Sequence, residues 1–168
     1  YRAASGAPGE SYWQQQADYV INATLDEAKK RITATGTITY RNNSPHPLNY
    51  IWLQLDQNIF KQDSVTNRTE RTTTPIAPAS DRLGMGTLRE LQSYAETAHG
   101  FEIQSVTDGG SRAIKYTIND TMMRVDLPTP LAPRQSTTLK LAWAFNIVDN
   151  NVFGGRSGYE HFRDSDTY

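Results

Sequence analysis

The sequence predicts a mainly β domain, and three observations carry that prediction. Apolar and polar residues alternate with period two over Ile32 to Tyr40 and over Leu139 to Ile147, as half-buried strands require. Clusters of Asn, Asp, Gly and Pro recur between the alternating runs and supply turns. Helical spacing of apolar residues is confined to a single short stretch, Thr87 to His99.

In chain order, the first eleven residues are small, polar and Gly/Pro-containing, which suits a flexible lead-in. Tyr19, Ile21, Ala23 and Leu25 then share one face of a half-buried strand, with Asp18, Asn22 and Thr24 on the other. The charged stretch Asp26 to Arg31 separates it from the clearest strand, in which Ile32, Ala34, Ile38 and Tyr40 alternate with Thr33, Thr35, Thr37 and Thr39. A turn at Asn42 to Pro47 leads into Leu48 to Leu55, apolar on both faces, which predicts a central strand covered twice. Asn58 to Gly86 is polar and Thr-rich and reads as a long surface excursion. Leu88, Leu91, Ala95 and Ala98 predict the short helix, with Gly100 placed to end it.

Strands resume at Phe101 to Val106, turn at Asp108, Gly109 and Gly110, and return through Arg112 to Ile118 as a hairpin. Met122 to Leu127 follows, Pro128, Pro130 and Pro133 break the chain, and Leu139, Leu141, Trp143, Phe145 and Ile147 line the inner face of the last strand. Trp52 and Trp143 are placed in the core; Tyr12 and Trp13 are expected to pack the start of the first strand onto the sheet. The expected organisation is a lead-in over 1–11, a β-rich domain over 12–148 and, over 149–168, the start of a connection to a further domain.

Composition narrows the function classes. The 168 residues carry 17 basic and 18 acidic side chains, and the halves sum to +1 and −2, so neither half has a nucleic-acid or membrane-surface footprint. The absence of cysteine removes disulfides, thiolate metal ligands and a cysteine nucleophile. No apolar run has the length of a membrane span. Because the chain opens at Tyr1 rather than methionine, an upstream segment is expected to have been removed, by a signal peptidase or by truncation.

Catalytic motifs are missing. His46, His99 and His161 lie at least 53 positions apart, and no H-E-x-x-H is present to bring two imidazoles and a carboxylate to one ion. Glu160 beside His161 points two neighbours in different directions; a solvated loop is the better reading. No G-x-S-x-G occurs, and Gly154-Gly155-Arg156-Ser157-Gly158 lacks the lysine and following helix of a phosphate loop, so it reads as a linker. Asp26 with Glu27, and Asp164 with Asp166, would need a pocket to shift their acidity. Asn22, Asn42, Asn67 and Asn119 each open an N-x-[ST] sequon. No catalytic, substrate-binding or metal-binding residue is assigned.

The order of the strand motifs carries a resemblance. Tyr12-Trp13-Gln14-Gln15-Gln16-Ala17-Asp18-Tyr19, Gly36-Thr37-Ile38-Thr39-Tyr40-Arg41-Asn42-Asn43-Ser44 and Leu53-Gln54-Leu55-Asp56-Gln57-Asn58 resemble the opening of bacterial members of the aminopeptidase N family. Met123 to Leu127, Pro130-Leu131-Ala132-Pro133 and Phe145-Asn146-Ile147 resemble later strands of the same domain, so the likeness covers Tyr12 to Ile147. Arg134 departs from the pattern, since the family usually has glycine there. The resemblance implies a saddle-like mixed β-sheet domain with one short helix, non-catalytic, which shapes the substrate entrance of a zinc metallopeptidase and docks on its catalytic domain.

In that reading the zinc, the H-E-x-x-H helix and the recognition of a peptide's free amine all belong to the catalytic domain, the chain itself holds no cofactor, and a Gram-negative parent would act in the periplasm or outside the cell. Alternatives are a free-standing β-sandwich module that binds carbohydrate or a protein partner, and a structural repeat of a surface protein.

Overall fold

A computed structural model describes residues 4–70, 84–85, 88, 92, 97–150, 157–160, 162, 165 and 167. Seven strands dominate: β1 (Gln16–Asp26), β2 (Arg31–Arg41), β3 (Leu48–Gln54), β4 (Glu102–Asp108), β5 (Tyr116–Asn119), β6 (Met122–Leu131) and β7 (Ser136–Asn146). They form a four-stranded sheet in the order β1-β2-β7-β4 and a three-stranded sheet in the order β3-β6-β5. Every pairing between these strands is antiparallel. Among the described residues, parallel pairing is confined to the bridge between Asp149 and Tyr159. The domain is mainly β, as the alternation predicts.

The core lies between the sheets. Ile38, Val106, Leu139 and Leu141 of the first face Ile51, Met123 and Val125 of the second, with Leu55 and Ile114 completing the cluster. Met123, Val125 and Leu139 are fully buried, and each such side chain contributes roughly 1.5 to 3 kcal/mol of burial free energy. Trp143 is half-buried against this cluster, on the same face as Leu139 and Leu141. Its ring lies over Gly36: a Cβ there would stand 2.9 Å from two ring carbons, so the close approach itself requires glycine. Phe145 meets Phe101 edge-on at 5.2 Å, closing the sheet's far end.

Several expectations are corrected by the tertiary arrangement. β3 is not a central strand covered twice but the end strand of its sheet. Its inner face, with Ile51, is buried, while Tyr50 and Trp52 are 41% and 49% exposed, so Trp52 is not a core residue. β1 is less buried than half, because the three-stranded sheet does not reach over it: Tyr19, Ile21 and Leu25 share the core-facing side of the first sheet yet remain exposed. Tyr12 and Trp13 are also exposed rather than packed away.

The predicted hairpin splits. Ile114 N–H still bonds Val106 C=O, but β5 then leaves the first sheet to pair with β6 in the second, so the segment is a corner linking the two layers. The prolines do not break β6, which continues to Leu131 through Pro128 and Pro130. They sit in a register shift, where the partner advances only from Tyr50 to Leu48 while β6 runs from Asp126 to Leu131. In such a bulge the missing proline N–H leaves no ladder bond unmade.

The described start of the predicted polar excursion is ordered, and residues 71–83 of it lie outside the described residues. A 3₁₀ turn, Asp56–Phe60, and a helix α1, Val65–Glu70, occupy its start, and Asn58 and Ser64 are buried. In the stretch predicted as a helix, Leu88 and Gln92 are helical and Leu88 N–H bonds Gly84 C=O; most of the stretch lies outside the described residues. Gly100 has φ of 88°, the left-handed conformation expected of a residue that ends a helix.

Candidate functional site

Two buried asparagines organise the parts of the sequence that carry the family resemblance. Asn42 follows β2, is completely buried, and uses both ends of its amide. Its Nδ2 donates to His46 C=O at 2.8 Å and to Leu131 C=O at 2.9 Å. Its Oδ1 accepts from Gln15 Nε2 at 3.1 Å, Ser44 N–H at 3.0 Å and Ser44 Oγ at 2.7 Å. Asn43 N–H donates to Gln15 Oε1, and Asn43 Nδ2 donates to Gln14 C=O. On the backbone, Asn42 N–H bonds Gln135 C=O and Arg134 N–H bonds Asn42 C=O. Residues from three separate motif segments are thus tied at one point. Arg134, where the family pattern has glycine, has φ of 64°, the conformation glycine adopts without cost.

Asn58 does the same on the other side. Its Nδ2 donates to Asp120 C=O and its Oδ1 accepts from Phe101 N–H, both at 2.8 Å, which ties the 3₁₀ turn to the β5–β6 turn and to the start of β4. Neither asparagine is free for chemistry, because buried amides in full use are structural. Burial also removes Asn42 from the candidate glycosylation sites, whereas Asn22 and Asn119 are exposed.

Among the described residues the titratable candidates do not converge. His46 is an exposed turn residue whose carbonyl serves the Asn42 cluster. His99 lies half-buried beside β7, and burial lowers its pKa below the usual histidine range. His161, Asp164, Asp166 and Gly154 to Arg156 lie outside the described residues, and Glu160 is exposed. Asp26 is engaged by Lys29 at 2.8 Å, and that hydrogen bond lowers its pKa. Glu102 forms a two-bond pair with Arg31 that lowers its pKa and raises that of the guanidinium, joining β2 to β4 across β7.

Among the described residues no group of three or more His, Cys, Asp or Glu side chains is assembled to hold a metal ion. The donor set described here therefore does not fit a zinc site, which needs three or four converging ligands.

Two surfaces remain. The outer face of the first sheet is a shallow depression of about 250 Å³, lined by Val20, Asn22, Thr35, Thr37, Ser105 and Lys140. Lys140 Nζ is held by Gly109 C=O at 2.9 Å, and the lining has no carboxylate or imidazole, so the depression has no acid–base pair. The outer face of the second sheet is aromatic: Tyr50 and Trp52 meet edge-on at 6.0 Å, and the Arg124 guanidinium lies 4.3 Å from the Tyr50 ring centre while bonding Asp126. Met122, exposed, extends this face. An amphipathic surface of this kind suits contact with a protein surface. Trp52 was legible as a strand residue; its outward direction was not, since both of its neighbouring faces are apolar in sequence.

No family model matches the sequence, and no curated protein sequence matches it. Solved structures similar to the chain include the M1 zinc metallopeptidase of Deinococcus radiodurans, 15% identical with a TM-score of 0.46 over 84% of this chain and 22% of that one. A mutant of that enzyme bound to a Tyr-Ser-Ala substrate is 14% identical, with the same TM-score and coverage. A two-domain M1 zinc metallopeptidase mutant bound to L-tryptophan is 16% identical, with a TM-score of 0.44 over 78% of this chain and 21% of that one. The chain spans about a fifth of the length of these enzymes.

Proposed function

We propose that this chain is the amino-terminal, non-catalytic domain of a zinc aminopeptidase of the aminopeptidase N family, where it shapes the substrate entrance and docks on the catalytic domain. One observation carries the reading. The motif segments around Gln14–Gln15, Asn42–Ser44 and Leu131, which carry the sequence resemblance, meet in the hydrogen-bond cluster of Asn42. A chance assortment of strand patterns has no reason to converge on one buried amide. The aromatic face of Tyr50, Trp52 and Met122 is the surface that we assign to docking, with Arg124 and Asp126 as its polar rim. Catalysis, zinc and peptide substrate then belong to the partner domain, and residues 149–168 begin the connection toward it.

The exposed Trp52 also favours a second reading, a carbohydrate-binding module. The Tyr50 and Trp52 rings stand at 76° to each other and offer no common plane on which successive sugar rings could stack, so we rank it second.

The test is the reading frame beyond Tyr168. An H-E-x-x-H motif within a few hundred codons is the expected result, and a stop codon near Tyr168 overturns the proposal. The purified chain should also show neither tight zinc binding by calorimetry nor turnover of an aminoacyl chromogenic substrate; either activity would contradict a non-catalytic role.

A further inference from the structure

The four sheet ends are not alike. β4 is seven residues long and carries a register shift between Ile103 and Ser105; β3 carries one between Leu48 and Tyr50; β5 has four residues. Short length and bulges are the devices by which sheet edges avoid pairing with another chain. β1 has neither. It runs eleven residues in unbroken register with β2 and contains no Pro, Gly, Lys or Arg, and among the described residues no strand lies on its other side. Tyr19, Val20, Ile21 and Leu25 on it are 59%, 65%, 55% and 59% exposed.

We propose that β1 is a self-pairing edge, through which two copies of this chain associate as antiparallel β1 strands about a two-fold axis at Ile21. This surface is separate from the aromatic face assigned above to docking, and the proposal does not depend on that reading. The argument is the strand's complementarity to itself. Centred on Ile21, the pairing uses all of β1 and sets Tyr19 opposite Ala23 and Ala17 opposite Leu25, so the apolar row continues from one sheet into the other. On the opposite face Asp18 meets Thr24, Val20 meets Asn22 and Gln16 meets Asp26, and no two like charges stand directly opposite. Asp26, diagonal to Asp18 of the other copy, is already paired with Lys29.

Neighbouring registers are worse. Moving the centre to Asn22 sets Asp18 against Asp26, and a half-step shift sets the apolar row of one copy against the polar row of the other. The pairing also sets the Tyr19, Ile21 and Leu25 row beside the same row of the second copy, so that these side chains pack laterally against one another.

Sedimentation of the 168-residue chain over a wide concentration range tests this. The expected result is a concentration-dependent dimer. Ile21→Lys and Ile21→Glu, which place like charges on the axis, should each weaken the dimer at least ~10-fold without altering the β circular dichroism. An equal mixture of the two should restore it, because Lys then meets Glu across the axis. Thr24→Lys, opposite Asp18, should tighten it. A monomer at every concentration, a dimer indifferent to Ile21→Lys, or a mixture that stays monomeric would each overturn the proposal. Association lost on Trp52→Ala but kept in Ile21→Lys would place the contact on the aromatic face instead and would equally overturn it.

Discussion

Asn42→Asp changes one buried group by almost no volume and isolates the hydrogen-bond cluster that ties the segments around Gln15, Asn42 and Leu131 together. The carboxylate keeps the acceptor that receives Gln15 Nε2, Ser44 N–H and Ser44 Oγ, and those bonds become charge-assisted. The two donors are lost, so the carbonyls of His46 and Leu131 face a carboxylate oxygen at 2.8 and 2.9 Å in place of an N–H. Ser44 Oγ also lies 3.0 Å from His46 C=O, but its single proton is drawn to the new charge. Two unsatisfied buried carbonyls cost roughly 1 to 3 kcal/mol each, which the stronger acceptor bonds offset in part, leaving about 3 kcal/mol of destabilisation at pH 7.

The penalty depends on pH in a definite direction. Burial and the facing carbonyls raise the folded-state pKa of the new Asp above its unfolded value, so its charged form is the one folding disfavours. The penalty is therefore full above the folded pKa and shrinks as pH falls, when protonation returns one donor to the site. Urea unfolding followed by tryptophan fluorescence, wild type against variant at pH 7 and pH 4, measures both quantities. A difference below about 1 kcal/mol at pH 7, or one that is the same at both pH values, would show that the Asn42 donors are not what ties these segments together.

Three further outcomes are expected. Arg134→Gly should raise stability by up to ~1 kcal/mol, because φ of 64° strains any residue with a Cβ, while Arg134→Val should lower it; thermal melts of both variants check this. Gly36→Ala should cost roughly 1 to 3 kcal/mol by driving a Cβ to 2.9 Å from the Trp143 ring, and an unchanged melting temperature would refute the close approach. The domain should lose stability in two acid steps: the lowered pKa of His99 makes its contribution fall away below about pH 6.5, and the lowered pKa of Glu102 acts below about pH 4.5. His99→Gln should flatten the first step alone in urea midpoints measured from pH 7.5 to 5.5.

The sequence by itself determined where most of the strands run and that the domain is mainly β, because side-chain alternation is a local property that each strand carries alone. The alternating runs Ile32 to Tyr40 and Leu139 to Phe145 pair directly in β2 and β7, and Leu139 and Leu141 lie in the core. It also held the motif segments that carry the resemblance, several of whose residues serve as structural ties. Tertiary structure alone decided which strands lie at the ends of sheets and which apolar faces are covered. β3 looks apolar on both faces in sequence, yet its outer face, with Tyr50 and Trp52, is exposed, and β1 looks half-buried, yet its apolar row is exposed because the three-stranded sheet ends before it covers that strand. The same holds for Asn42 and Asn58, which in sequence look like turn residues. They become buried ties only because Leu131, Asp120 and Phe101, far along the chain, present backbone groups that need a partner out of water.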